Sequence, residues 1–275
     1  METDSLRELQ LFEKKILDDV CDVCRENSIR CYLICGTLLG AARHNGFIPW
    51  DDDVDVAMPY EDYTRFIESF SKEHSDAYFV QTYDTDIHWY RSYARVRANN
   101  TTMMKPNYKT VDFHQGIYID IFPVLQCETE KERARYVKKI KFANLLQMDH
   151  FARENKVYKA KHRRQLILLA PLYCLPVSMR QKWHGRIMTK LGAKKGKYYY
   201  NVGIKIGKCR PAEHFTLPAD QVLFEGRLYD APHNHKEYLT GLYGDYMTPP
   251  PLEKRIGHDP SILVDYSKSY KEYQK

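Results

Sequence analysis

Residues 36–55 read Gly36-Thr37-Leu38-Leu39-Gly40-Ala41-Ala42-Arg43-His44-Asn45-Gly46-Phe47-Ile48-Pro49-Trp50-Asp51-Asp52-Asp53-Val54-Asp55. An apolar run, Cys31 to Cys35, enters this stretch as a buried strand. Gly36-Thr37 makes the junction to a short helix, Leu38 to Arg43, and Asn45-Gly46 marks a turn. From Trp50 to Val56 acids alternate with valines, the period of a second strand. Side chains on a strand alternate faces, so Asp51, Asp53 and Asp55 point one way and Asp52 and Val54 the other. Unpaired carboxylates are costly to bury, and a divalent cation removes the conflict. Mg2+ suits such a set, because it takes hard oxygen ligands and keeps water and substrate phosphate in its shell. A glycine ahead of a helix lets backbone approach that phosphate, and the helix start offers unpaired N–H groups.

A second acidic position stands further along, in Gly116-Ile117-Tyr118-Ile119-Asp120-Ile121-Phe122-Pro123. Asp120 is one charge in an apolar strand, so it is expected to face the same cation or to pair with a buried arginine.

Working outward, Leu9, Phe12, Ile16, Val20 and Val23 give the first helix one apolar stripe, with Ser5 and Glu8 as a capping box. Tyr63, Phe66, Ile67 and Phe70 mark a helix over 60–71. Strands are expected at Tyr78–Thr82, Trp89–Arg97 and Ile117–Phe122, and helices from Glu128 to about Leu191, broken near Pro171 and Pro176. Val222 to Tyr229, around Glu225-Gly226, reads as a strand pair, and His235 to Tyr243 as a short helix. The mixed order indicates an α+β fold, a mixed β-sheet core flanked by helices with a helical insertion. We divide it into a catalytic core (1–126), a basic helical insertion (127–200) and a C-terminal substrate-recognition part (201–275) completing the same domain.

With 43% hydrophobic and 28% charged residues, the composition is that of a globular chain rather than a membrane-embedded one. The start does not read as a signal peptide, and the seven cysteines are expected as reduced thiols in a cytoplasmic protein. Cys21, Cys24, Cys31 and Cys35 divide between a helix and a buried strand, which argues against a zinc site. The net charge of +6 is unevenly placed: residues 131–164 hold twelve Lys/Arg against three acids. That stretch and the apolar run after it, 166–177, suit peripheral contact with an anionic membrane surface, at the inner face of the plasma membrane. No nucleic-acid module is recognisable, so no nucleic-acid partner is expected.

The order of Gly-polar junction, helix, Asp-x-Asp strand and later lone-Asp strand is that of the nucleotidyltransferase fold. Residues 36–55 resemble the signature of the LicD family, which includes fukutin-related proteins. Gly116 to Pro123, Phe224 to Tyr229, Tyr243 to Met247 and Arg255 to His258 extend the resemblance over roughly 18–258. It implies transfer of a phospho-alcohol, commonly phosphocholine from CDP-choline, to a sugar hydroxyl of a cell-surface glycan or teichoic acid precursor, lipid-linked in some cases. By matching position, Asp53, Asp55 and Asp120 carry over as ligands of Mg2+, or Mn2+ in its place. Gly36, Thr37, Arg43 and Arg97 (or Arg95) are candidates for the donor phosphates. Trp50, with Tyr229, Tyr238, Tyr243 and Tyr246, offers aromatic faces for a choline head group. Glu225, Arg255 and His258 are candidates on the resemblance alone. CDP-ribitol or CDP-glycerol as donor, transfer of NMP to a small molecule, and a non-catalytic binding module are the competing readings.

Overall fold

The computed structural model describes residues 3–155, 171–172, 174–203, 210–255, 257 and 261–274. The first helix, α1 (Thr3–Glu26), buries Leu9, Ile16, Leu17, Val20 and Val23 almost completely. It starts at Thr3, so Ser5 lies in its first turn rather than at a cap. A two-residue strand, β1 (Tyr32–Leu33), then leads into α2 (Cys35–His44), which ends on Asn45 in the left-handed conformation (φ 55°). Asparagine tolerates that conformation, and its N–H closes onto the Ala41 and Gly40 carbonyls.

The central sheet runs β1, β2 (Asp55–Pro59), β6 (Tyr118–Cys127), β4 (Ala94–Ala98), β3 (Tyr78–Gln81). Strands β2 and β6 are parallel, and their other neighbours pair antiparallel. A parallel pair needs a crossover. Here α3 (Tyr60–Glu73), with Phe66 and Phe70 fully buried, begins it, followed by β3, β4 and β5 (Thr102–Met104).

Four strands depart from their sequence-based expectation, the first being the run Cys31–Cys35, of which only Tyr32–Leu33 pairs, while Cys35, Gly36 and Thr37 already form the first turn of α2. The acidic strand begins at Asp55, and residues 51–54 approach it as irregular chain. The ladder nevertheless starts one residue earlier, since the Asp120 N–H donates to the Val54 carbonyl at 2.9 Å. Of Trp89–Arg97 only the end joins the sheet, because residues 89–93 form a turn closed by the Trp89 indole N–H on the Tyr93 carbonyl (2.7 Å). Strand β6 runs on through Pro123, whose carbonyl accepts the Val202 N–H.

Helices α4 (Glu130–Asn155) and α5 (Val177–Gly192) pack on each other over the far end of β6. Leu125, Tyr136, Ile140, Met188 and Leu191 form a second, smaller core there. The remainder of the basic stretch, 156–164, and half of the apolar run 166–177 (166–170 and 173) lie outside the described residues. Among the described residues no helix is long and apolar enough to cross a membrane. Strands β7 (Tyr198–Asn201) and β8 (Arg210–Pro211) extend the sheet beside β6, followed by a short helix, α6 (Glu213–Thr216).

The C-terminal part opens with the hairpin β9 (Asp220–Phe224) and β10 (Arg227–Ala231). Its two-residue turn, Glu225 (φ 49°) and Gly226 (φ 80°), needs positive φ at both positions, which suits the right-handed strand twist. Helix α7 (His235–Tyr243) occupies the residues its sequence indicated. Near the end of the chain, β11 (Leu263–Asp265) pairs with β5. Of the cysteines, Cys21 is half-buried, and its hydrogen bond with Cys31, then desolvation, pushes its thiol well above the usual range.

One clamp ties this hairpin to the acidic segment. The Glu225 carboxylate accepts from Arg7 of α1 at 3.0 and 2.6 Å and from the Phe47 N–H at 3.1 Å. The Glu225 N–H in turn donates to the Asn45 carbonyl at 2.9 Å. Removing the acceptor strands a backbone donor, whereas the Arg7 side chain is half exposed. Glu225→Ala is therefore expected to cost about 1–3 kcal/mol and Arg7→Ala less than about 1 kcal/mol. Urea unfolding of the two variants checks this, and equal losses would contradict it.

Candidate active site

The parallel register sets Asp55 directly opposite Asp120, and the antiparallel register of β4 sets Arg95 opposite Asp120 on the other side. Arg95 grips the Asp120 carboxylate through Nε at 2.6 Å and a terminal nitrogen at 3.3 Å. Its guanidinium also lies 3.6 Å from the centre of the Tyr118 ring and 4.7 Å from that of Trp89. On the other flank, the Thr37 hydroxyl of α2 accepts the Asp55 N–H at 2.8 Å, fixing the start of β2 to the start of that helix. Gly36 lets the Asp51 carboxylate approach closely, since a Cβ there would stand 2.6 Å from its oxygen and push it away. That carboxylate thus packs on the first turn of α2, where the helix dipole favours negative charge. From α1, Gln10 donates to the Asp51 carbonyl at 2.9 Å and pins the turn.

The clustering shows in the electrostatics. Burial raises the Asp51 carboxyl to about 6. Burial, together with Asp51 and Asp120, raises Asp53 to about 7 against the opposing pull of Arg95. Asp55, buried and facing Asp53 and Asp120, is pushed well above the carboxylate range. A fifth acid, Glu13 of α1, is fully buried, and neither of its oxygens has a hydrogen-bond partner among the described residues. Burial and then Asp53, Asp51, Asp120 and Asp55 raise its carboxyl well above the usual range. Sequence did offer a signal for Glu13: it lies on the apolar stripe of α1, four residues after Leu9 and four before Leu17.

Other candidates divide. Arg43 and Arg255 sit together beside the acidic segment, and burial, then Arg255, depresses the Arg43 guanidinium. Arg43 donates to the Tyr246 carbonyl at 3.1 Å, and Arg255 lies 4.8 Å from the centre of the Trp50 ring. Tyr243 is near as well, its hydroxyl raised by burial, Cys35 and Asp55. Arg97 is placed differently from its neighbour Arg95. It is 2% exposed, donates through Nε to Gln81 (2.6 Å) and through a terminal nitrogen to the Gly116 carbonyl (2.8 Å), and has no ion pair among the described residues. Glu225 is committed to the clamp described above. Tyr229 is buried with its hydroxyl on Asp18, and Tyr238 lies in the core against Phe215 and Tyr199. These two rings therefore offer no face to a ligand. His258 lies outside the described residues.

In the folded chain Asp51 and Asp53 hold protons that the unfolded chain has released above about pH 4. Stability from this source is complete below that pH and is lost as pH rises through about 6 and about 7. Metal-free protein is expected to melt on the order of 3 °C or more lower at pH 8 than at pH 5. Asp53→Asn should flatten that difference. Thermal scans across the pH range check it, and a profile in the wild type no steeper than in the variant would contradict it.

A family model described as LicD/FKTN/FKRP, nucleotidyltransferase domain, matches residues 28–155, the span that holds Asp51 to Asp55, Arg95 and Asp120. Over 268 residues the chain is 30% identical to the lipopolysaccharide cholinephosphotransferase LicD of Haemophilus influenzae, covering 92% of this chain and 96% of that protein. A shorter similarity, 40% over 52 residues, links 19% of the chain to 17% of an uncharacterized protein of Rickettsia typhi. The second of these similarities is local, whereas the first runs nearly end to end in both proteins. On that match and the family model together, the chain belongs to the LicD family.

Proposed function

We propose that this protein is a transferase that moves phosphocholine from CDP-choline to a sugar hydroxyl of a cell-surface glycan, on a nucleotidyltransferase-like core. The observation that carries this reading is the match over nearly all of both chains to a protein named for cholinephosphate transfer to lipopolysaccharide. The acid cluster supports it, since buried carboxylates that repel one another call for a cation.

The donor set is all carboxylate oxygen, which fits Mg2+ or Mn2+. No three of the described His, Cys, Asp and Glu side chains converge as a ready-made metal cage. Substrate phosphate and water would complete the shell, as is usual for Mg2+. Asp53, Asp55 and Asp120 would hold the cation, which when bound offsets charge on the phosphate oxygens.

The acceptor hydroxyl oxygen bonds to the phosphorus that carries the alcohol, the P–O bond to CMP breaks, and the hydroxyl proton passes to a carboxylate. Asp120 either completes the cation shell or takes that proton, and Arg95 fixes its orientation in both roles. Arg43 and Arg255 stand where planar donor forks can meet phosphate oxygens. Tyr243 and Tyr246 remain as aromatic faces near the cluster for the head group, since the Trp50 ring already carries Arg255. The reading puts the enzyme on the cytoplasmic side, with a lipid-linked acceptor approaching from the membrane surface.

The test is CMP release from CDP-choline in the presence of a lipopolysaccharide acceptor and Mg2+, with CDP-ribitol and CDP-glycerol as parallel donors. Asp53→Asn and Asp55→Asn are each expected to lower turnover at least about 100-fold. Chelation should abolish it. Turnover of another CDP-alcohol alone would replace the donor, and turnover unaffected by either substitution would remove the cluster from the chemistry.

A further inference from the structure

Arg95 also lines a cavity of about 100 Å³ behind an open mouth, and Asp120 is not among its lining residues. Four cations line it: Arg95 and Arg97 from β4, Arg91 from the preceding turn, and Lys105 after β5. No aspartate or glutamate is among its described lining residues. Five aromatic rings complete the wall, of which Trp89 and Tyr118 belong to the floor and Tyr90 and Tyr108 are less deeply buried.

The floor is already electropositive. Arg97 is a buried guanidinium bonded to neutral oxygens, with no carboxylate pairing it among the described residues. A buried charge of this kind is stabilised by a counter-ion. The faces of Tyr118 and Trp89 that would attract a quaternary ammonium are themselves occupied by Arg95, with Arg97 4.7 Å from the Tyr118 centre. Choline is therefore repelled here by charge and denied its aromatic faces. A ligand that is both anionic and flat fits on both counts: phosphate for the guanidinium forks, a base for the ring edges and faces.

We propose that this cavity binds the nucleotide half of the donor, base and phosphate together, and leaves the alcohol head group on the other flank of the acid cluster. The assignment rests on the reading of the protein as a user of nucleotide-activated alcohols. Arg95 is the shared wall: one edge of its guanidinium holds Asp120 and its faces line the cavity. Phosphate entering from this side thus arrives beside the acids.

Arg91 and Lys105 are exposed at the rim, and Arg91 only rests over the outer faces of Tyr90 and Tyr93 without pairing to an acid among the described residues, so Arg91→Ala with Lys105→Ala should leave the fold intact. Calorimetric titration of CMP, cytidine, inorganic phosphate and phosphocholine compares wild type with this double variant. CMP should bind the wild type more tightly than phosphate or cytidine does, and the variant should lose about tenfold in CMP affinity. Phosphocholine should not compete with CMP. KM for CDP-choline should rise in parallel while kcat holds. Unchanged CMP affinity in the variant, competition by phosphocholine, or phosphate binding as well as CMP would each overturn the assignment. Intact phosphocholine transfer with an unchanged KM in the variant would overturn the cavity but spare the proposed activity. Rim-dependent CMP binding without transfer from any CDP-alcohol would do the reverse.

Discussion

Everything in this molecule that bears on chemistry depends on the parallel pairing of β2 with β6. That one register puts Asp55 beside Asp120 and, through the antiparallel partner of β6, puts Arg95 on the far side of Asp120. Hydrogen bonds along a ladder are directional and sum over several residues, so they hold like charges together where side-chain energetics alone would separate them. The sheet supplies the constraint, and the mutual repulsion of the carboxylates is the stored consequence. A slip of one residue would turn Asp120 into the core and leave Arg95 without its partner.

The N-terminal helix stabilises this arrangement from beneath in a way its apolar stripe does not suggest. Arg7 reaches the hairpin turn, Gln10 holds the segment before the acids, and Asp18 and Asp22 receive Arg227. Each contact joins parts of the chain far apart in sequence, so α1 organises both the acidic segment and the β9–β10 hairpin. Glu13, lying between these contacts, sits in an environment that opposes charge, through burial and then the four neighbouring aspartates. A protonated carboxyl is the form that burial allows there.

Much of this was legible in the sequence, for identifiable reasons. The Gly36-to-Asp55 segment, the hairpin around Glu225-Gly226 and the helix from His235 to Tyr243 each carry a local signal: a turn residue, a periodicity or a cap. Pairing partners carry none. Arg95 and Arg97 occupy the same face of one strand, so periodicity treats them alike, and the register with β6 separates them: Arg95 meets Asp120, Arg97 meets Tyr118. Trp89 to Tyr93 has strand-like composition, yet the indole bond to the Tyr93 carbonyl closes it into a turn. Glu225 was marked by resemblance, and its contacts give it a job in holding the backbone at Phe47. Strands β5, β7, β8 and β11 are short and take their conformation from neighbours rather than from their own residues.

The pairing of β11 with β5 has a temporal side. Ile262, just ahead of β11, lines the cation-rich cavity together with Met103 of β5, so one wall of that cavity is built from residues far apart in sequence. During synthesis the strands that carry the acids emerge well before the segment that closes the wall. The nascent protein thus passes through a stage with its carboxylates gathered and the neighbouring cavity still open.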